Sequence, residues 1–256
     1  MNSVLLLILI FLIILICGKR GLKLILSLGI NFTILIILFY FITLGINPLL
    51  ITLLALLLIS NVILYFVNGK NKKTKSSMPA VFIILIVLLL SILIITKETR
   101  IQGFGYESYE EINMFSYDVN IDFTNITTCL ILIGLIGATI DASIAISSAL
   151  HEVYENNKHL EVKALFKSGL TIGKDIMGTT VNTLLFAFLG EFMTLLIWYK
   201  TGNYMFEEII NNKTFAQELI KILFSAIGCI LIVPLTSIIT SYRLKHDNEE
   251  EYYNEE

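Results

Sequence analysis

Seven apolar runs follow one another along the chain, approximately Ser3 to Cys17, Leu22 to Leu44, Pro48 to Val67, Pro79 to Thr96, Ile126 to Leu150, Gly169 to Tyr199 and Gln217 to Tyr242. Most exceed the roughly 18 residues that a helix needs to cross a bilayer. Hydrocarbon offers no water to a backbone amide, so each run has to close its hydrogen bonds within itself. The expectation is an all-α, polytopic transmembrane bundle of about seven helices. With 56% hydrophobic and 15% charged residues, the composition lies far outside that of a soluble domain. No basic patch points to nucleic acid. The first run is the shortest, and it does not read as a cleaved signal, because Lys19, Arg20 and Lys23 follow it and no cation precedes it.

Cys17-Gly-Lys-Arg-Gly21 and Gly45-Ile-Asn-Pro48 read as tight turns, with Pro48 and Pro79 in first-turn positions where a missing N–H is harmless. Such short turns make the first four helices antiparallel neighbours. Orientation follows from Lys and Arg. One set of alternate connections carries Lys19, Arg20 and Lys23, then Lys70, Lys72, Lys73 and Lys75, then Lys158, Lys163, Lys167 and Lys174, and finally Arg243 and Lys245. That set belongs in the cytoplasm, which places the N-terminus outside and the C-terminus inside.

The connection from Lys97 to Asn125 is acidic and aromatic and reads as a short interfacial helix at the outer headgroups. His151 to Lys167 reads as a helical elbow. Residues 1–246 form the transmembrane domain, and 247–256 an acidic, disordered tail. Cys17, Cys129 and Cys229 lack metal-site spacing and read as small apolar core residues. No metal and no cofactor is expected.

Within the fifth run stands Asp141, an ionisable group at a depth that costs roughly 2.5–3.5 kcal/mol on insertion scales. At helical spacing Gly134, Ala138, Asp141, Ala145, Ser148 and Glu152 share one stripe, flanked by Gly137, with small residues where another helix can approach. On the sixth run Asp175, Gly178, Thr179, Asn182 and Thr183 form a second polar stripe. If the two stripes face each other, Asp141 and Asp175 are proton-coupling candidates, because protonation of a carboxylate in a dry seam is linked to packing. Ser148, Glu152, Thr179, Asn182 and Thr183 would be the seam's polar members, and Gly134, Gly137, Ala138, Ala145 and Gly178 its packing positions. The plainer reading is helix-packing glue, with Asp175 a cap of the sixth helix. Glu191 is a further candidate for an exit path.

These residues carry a resemblance. Gly134-Leu-Ile-Gly-Ala-Thr-Ile-Asp-Ala-Ser-Ile-Ala-Ile-Ser-Ser-Ala-Leu-His-Glu152, Ser168-Gly-Leu-Thr-Ile-Gly-Lys-Asp-Ile-Met-Gly-Thr-Thr-Val-Asn-Thr-Leu184 and Val233-Pro-Leu235 resemble the YibE/F family of bacterial multi-pass membrane proteins, here in a short form. Lys174 stands where the family usually has Arg, which keeps the charge but weakens bidentate contacts. The resemblance implies a bacterial plasma-membrane protein and a heterodimer with a longer paralogue, or failing that a homodimer. A weaker similarity joins Gly137-Ala-Thr-Ile-Asp141 to the G-x-x-x-D run on the proton-handling helix of resistance-nodulation-division and SecD/SecF-like transporters.

The expected function is a membrane transport or export subunit, proton-coupled through Asp141, with an unidentified substrate and no enzymatic activity. The alternative is a non-transporting assembly or scaffold subunit that pairs with a paralogue. A remote alternative, an intramembrane aspartyl protease using Asp141 and Asp175, is disfavoured because Ile172-Gly-Lys-Asp175 lacks the G-x-G-D run of such enzymes.

Overall fold

The computed structural model describes residues 2–99, 101 and 122–253. Most of the Lys97 to Asn125 connection, with its expected interfacial helix, therefore lies outside the described residues, as do 254–256 of the tail. The described chain is helical, with no strand: α1 (Asn2–Cys17), α2 (Lys19–Thr43), α3 (Pro48–Asn61), α4 (Lys72–Thr99), α5 (Phe123–Asn156), α6 (Val162–Thr201), the short α7 (Phe206–Ile210) and α8 (Lys213–Tyr253). Val62–Val67 extends α3 as a π-helical turn. Six helices are long and apolar enough to cross a membrane, and Val4–Cys17 is a shorter apolar one.

Local chemistry sets the helix starts. Asn47 caps α3 by accepting from the Leu49 N–H at 3.0 Å, with Pro48 in the first turn and Gly45 at φ +78° before it. Asp122 caps α5 through the Thr124 N–H at 3.0 Å. Asn71 and Thr74 cap α4 reciprocally, each side chain accepting from the other's N–H at 2.9 and 3.0 Å. This start lies well before Pro79, which the sequence reading put in a first turn and which is instead internal to α4. A proline lacks the N–H that would reach the carbonyl four residues back. The freed acceptor is Lys75 O, and the Arg243 guanidinium of α8 donates to it.

At the centre, α4, α5 and α8 pack around Leu85, Leu88, Ile92, Leu132, Leu135, Ile140 and Ile232. Hydroxyls tie these helices together. Thr96 and Thr128 meet at 2.9 Å, Ser143 and Thr236 at 3.0 Å, Thr127 donates to Gln217 at 3.4 Å, and Ser147 donates to Lys73 O at 2.8 Å. These pairs run α5 antiparallel to α4 and parallel to α8. They also gather the α3–α4 turn and the end of α8 at one end of the bundle. The α5–α6 turn joins them there, since Leu150, Gly169 and Ser237 meet. Four basic segments thus share an end, because the α1–α2 turn shares a cavity with Asn68 and Gly69.

The remaining helices are peripheral. α2 rests on α3 and its π-helical turn, and α1 packs on α2, where Gly21 allows a close approach to the Ile13 carbonyl. Cys17 is consequently exposed, unlike the buried Cys129 and Cys229, because α1 has no deeper layer to enter. α6 runs 40 residues without a proline, about 60 Å at 1.5 Å per residue, and is the least buried of the six. α8 is a single helix to Tyr253, reaching into the acidic run that begins at Asp247.

Candidate functional site

The inward face of α5 is built from Leu132, Leu135, Ile136, Thr139, Ile140, Ser143, Ile146, Ser147 and Leu150, all buried. The stripe containing Asp141 lies on the other side. Gly134, Gly137, Asp141 and Glu152 are exposed, and Ala138, Ala145 and Ser148 are partly so. Asp141 thus occupies the middle of the open face of α5, a carboxylate at mid-helix surrounded by residues too small to shield it.

The second stripe is also outward. α6 packs through Gly169, Gly173, Met177 and Phe188, with Gly173 lying against Val233 and Gly169 against Ser237 and Leu150. Asp175, Gly178, Thr179, Asn182 and Thr183 are exposed, on the side of α6 away from that contact. The structure does not join the two stripes in a seam within one chain. Helical spacing assigns residues to a common face, but the neighbour's direction depends on packing, and here α8 receives the glycine face of α6. Asp175 lies well inside α6, which begins at Val162, and so is not its cap. The tight approaches occur at Gly169, Gly173 and Gly228, whereas a Cβ at Gly137 or Gly178 would meet nothing within 4 Å.

A charged cluster adjoins the Asp141 stripe. Lys221 of α8 reaches across Gly134, donates to Glu191 of α6 at 3.2 Å and to Glu218 at 3.3 Å, and lies 5.1 Å from the Phe188 ring centre. It bridges three helices. Gly134 is seven residues from Asp141, about 10 Å along the helix, so the cluster and the carboxylate share one groove wall. Glu191 is among the candidates the sequence offers, whereas Lys221 and Glu218 are not. The readable signal was Glu218-Leu-Ile-Lys221, an i,i+3 ion pair inside an apolar run.

Chemically, the arrangement can hold and exchange a proton at Asp141 and neutralise carboxylates at Lys221. Facing a partner, it can bury two polar stripes at once. A family model described as YibE/F-like protein matches residues 5–246.

The chain belongs to the YibE/F-like family.

Comparison with curated proteins and with solved structures finds no match. The match covers every helix of the bundle, including the faces of α5 and α6 that bear the two stripes. The YibE/F-like chain is a membrane protein with six helices able to span.

Proposed function

We propose that this YibE/F-like protein is a subunit of a transport assembly in the bacterial plasma membrane, with Asp141 as its proton-exchanging group. One observation carries the reading: a carboxylate stands exposed on the open face of a spanning helix, in a chain whose core is otherwise closed by Leu, Ile and hydroxyl pairs. Lipid is a poor neighbour for that group, which favours a covering chain or an aqueous groove. A paralogue or a second copy, laid over α5 and α6, would enclose Asp141 together with Asp175, Thr179 and Asn182. The Lys221–Glu191–Glu218 cluster then supplies a polar approach to the groove from one end.

The resemblance of Gly137-Ala-Thr-Ile-Asp141 to the proton-handling helix of resistance-nodulation-division transporters supports the same role. Gathering the basic segments at one end of the bundle supports an orientation with that end, and the end of α8, in the cytoplasm. A second reading is a non-transporting assembly subunit. Exposure of both stripes favours it equally, since a partner helix alone would cover them.

Water access separates the two. Membranes holding the chain with its native partners are treated with a hydrophobic and with a water-soluble carbodiimide, and modification of Asp141 is read by peptide mass spectrometry. Transport predicts labelling by both reagents, with a pH dependence and protection by an imposed proton gradient. Failure of the water-soluble reagent at every pH refutes the proton role and leaves the assembly reading.

A further inference from the structure

The first 97 residues contain no Asp or Glu, yet they hold Lys19, Arg20, Lys23, Lys70, Lys72, Lys73, Lys75 and Lys97. The fold concentrates the first seven of these at one end. The α1–α2 turn, bent at Gly18 with φ +54°, meets the π-helical end of α3 and the following turn, bent at Gly69 with φ +79°. Between them lies a cavity of about 380 Å³, lined by Arg20, Lys23, Leu24, Val67, Asn68 and Gly69. Neither Arg20 nor Lys23 has an ion-pair partner among the described residues. Two polar groups of the turn are already committed: Asn68 Nδ2 donates to Ile63 O at 2.9 Å, and Gly69 O accepts from Thr74 at 2.8 Å. Two uncompensated cations therefore face the cavity from α2.

We infer that this cavity holds the phosphate of an anionic phospholipid, with Arg20 and Lys23 as its cationic partners and Leu24 and Val67 against the upper acyl chains. The cavity lies at the ends of spanning helices, where a headgroup sits, and it combines a polar with an apolar wall, which a free phosphate does not require. Basic pockets between spanning helices at a membrane surface suit such headgroups. Arginine can engage phosphate through two donors, and the neighbouring lysine adds a point charge. The π-helical turn of Val62–Val67 ends at the cavity, where Val67 and Asn68 line it.

The test uses the full chain in phosphatidylcholine nanodiscs doped with phosphatidylglycerol, with the phosphatidylglycerol retained on the protein counted by native mass spectrometry. Arg20→Ala/Lys23→Ala should bind about thirtyfold more weakly, the effect of losing two headgroup-level cations. Arg20→Lys/Lys23→Arg should retain binding, which separates loss of charge from misfolding, and Lys200→Ala at the opposite end should match wild type. Three results would overturn the inference. The first is unchanged binding in the double alanine variant. The second is full competition by inorganic phosphate, which would make the site one for a soluble anion. The third is binding that appears only after deletion of 247–256, which would make the chain's own acidic tail the occupant.

Discussion

Replacing Gly173 by Ala tests the contact that fixes α6 on α8. A Cβ built there lies 2.2 Å from Val233 Cγ1, 3.3 Å from Val233 Cβ and 3.4 Å from Val233 Cγ2. Carbon atoms rest at about 3.5–4.0 Å, so the first contact is short by roughly 1.5 Å. Rotating Val233 is a poor escape, because a β-branched residue in a helix has one strongly preferred χ1. Its Cβ also stays close whatever the rotamer. The helices must separate instead, and overpacking of this kind costs about 1–3 kcal/mol. Val233→Ala removes both offending methyl groups, so the double variant should recover most of the loss, with a coupling energy of about 1–3 kcal/mol. Gly178→Ala on the same helix meets open space and should stay within about 0.5 kcal/mol of wild type. Reversible unfolding in mixed micelles, followed by helical circular dichroism and tryptophan emission, gives all four free energies. The packing described here is refuted if Gly173→Ala matches Gly178→Ala, or if Val233→Ala leaves the penalty in place.

Arg243→Gln should lower stability by about 1–2 kcal/mol through loss of a charge-assisted bond to Lys75 O, and Pro79→Ala, by restoring a main-chain donor, should make that substitution nearly silent in thermal unfolding. Lys221→Met should destabilise by about 1–3 kcal/mol, nearer the lower figure because the Glu191 side chain is 66% exposed, and adding Glu191→Gln and Glu218→Gln should restore the midpoint of a denaturant titration. With the native cysteines replaced, a single Cys within Asn71 to Ser76 should resist an impermeant maleimide in whole cells while one within Thr201 to Asn203 reacts; the opposite pattern would reverse the orientation.

Much of the bundle is legible from apolar runs alone, since a membrane leaves the backbone few choices. The runs ending at Val67 and beginning at Pro48 coincide with α3 and its π-helical turn, and the Gly45 to Pro48 turn is as expected. Ends were less legible. α6 begins at Val162, and α4 begins at Lys72, because that helix continues into polar sequence once Asn71 and Thr74 satisfy its first amides. Faces were the least legible. The small residues of the Gly134 to Ser148 stripe and the hydroxyls of Thr139, Ser143 and Ser147 are alike in volume and both suit close packing. The buried set is the one with geometric partners, Thr236 and Lys73 O, on helices far along the chain. Lys221 illustrates the same limit, for its role depends on Gly134 and Glu191 from two other helices.

The uninterrupted length of α6 gives it leverage. About 30 Å of a bilayer's hydrocarbon is crossed by half of a 40-residue helix, so the other half stands beyond it. Gly169 and Gly173 form a smooth pivot of low bulk near one end, with no proline to absorb a bend. Tilting the rod by about 5° about that pivot would carry a point 30 Å away through roughly 3 Å, a displacement set by helical rise alone. Asn182 and Thr183 lie about 14 Å along from Gly173 and Lys200 about 40 Å, so a shift of a partner against them would be read out roughly threefold larger at Lys200. A rearrangement too small to break any contact on α5 would thereby become a movement of the aromatic cluster formed by Trp198, Tyr199 and Tyr204.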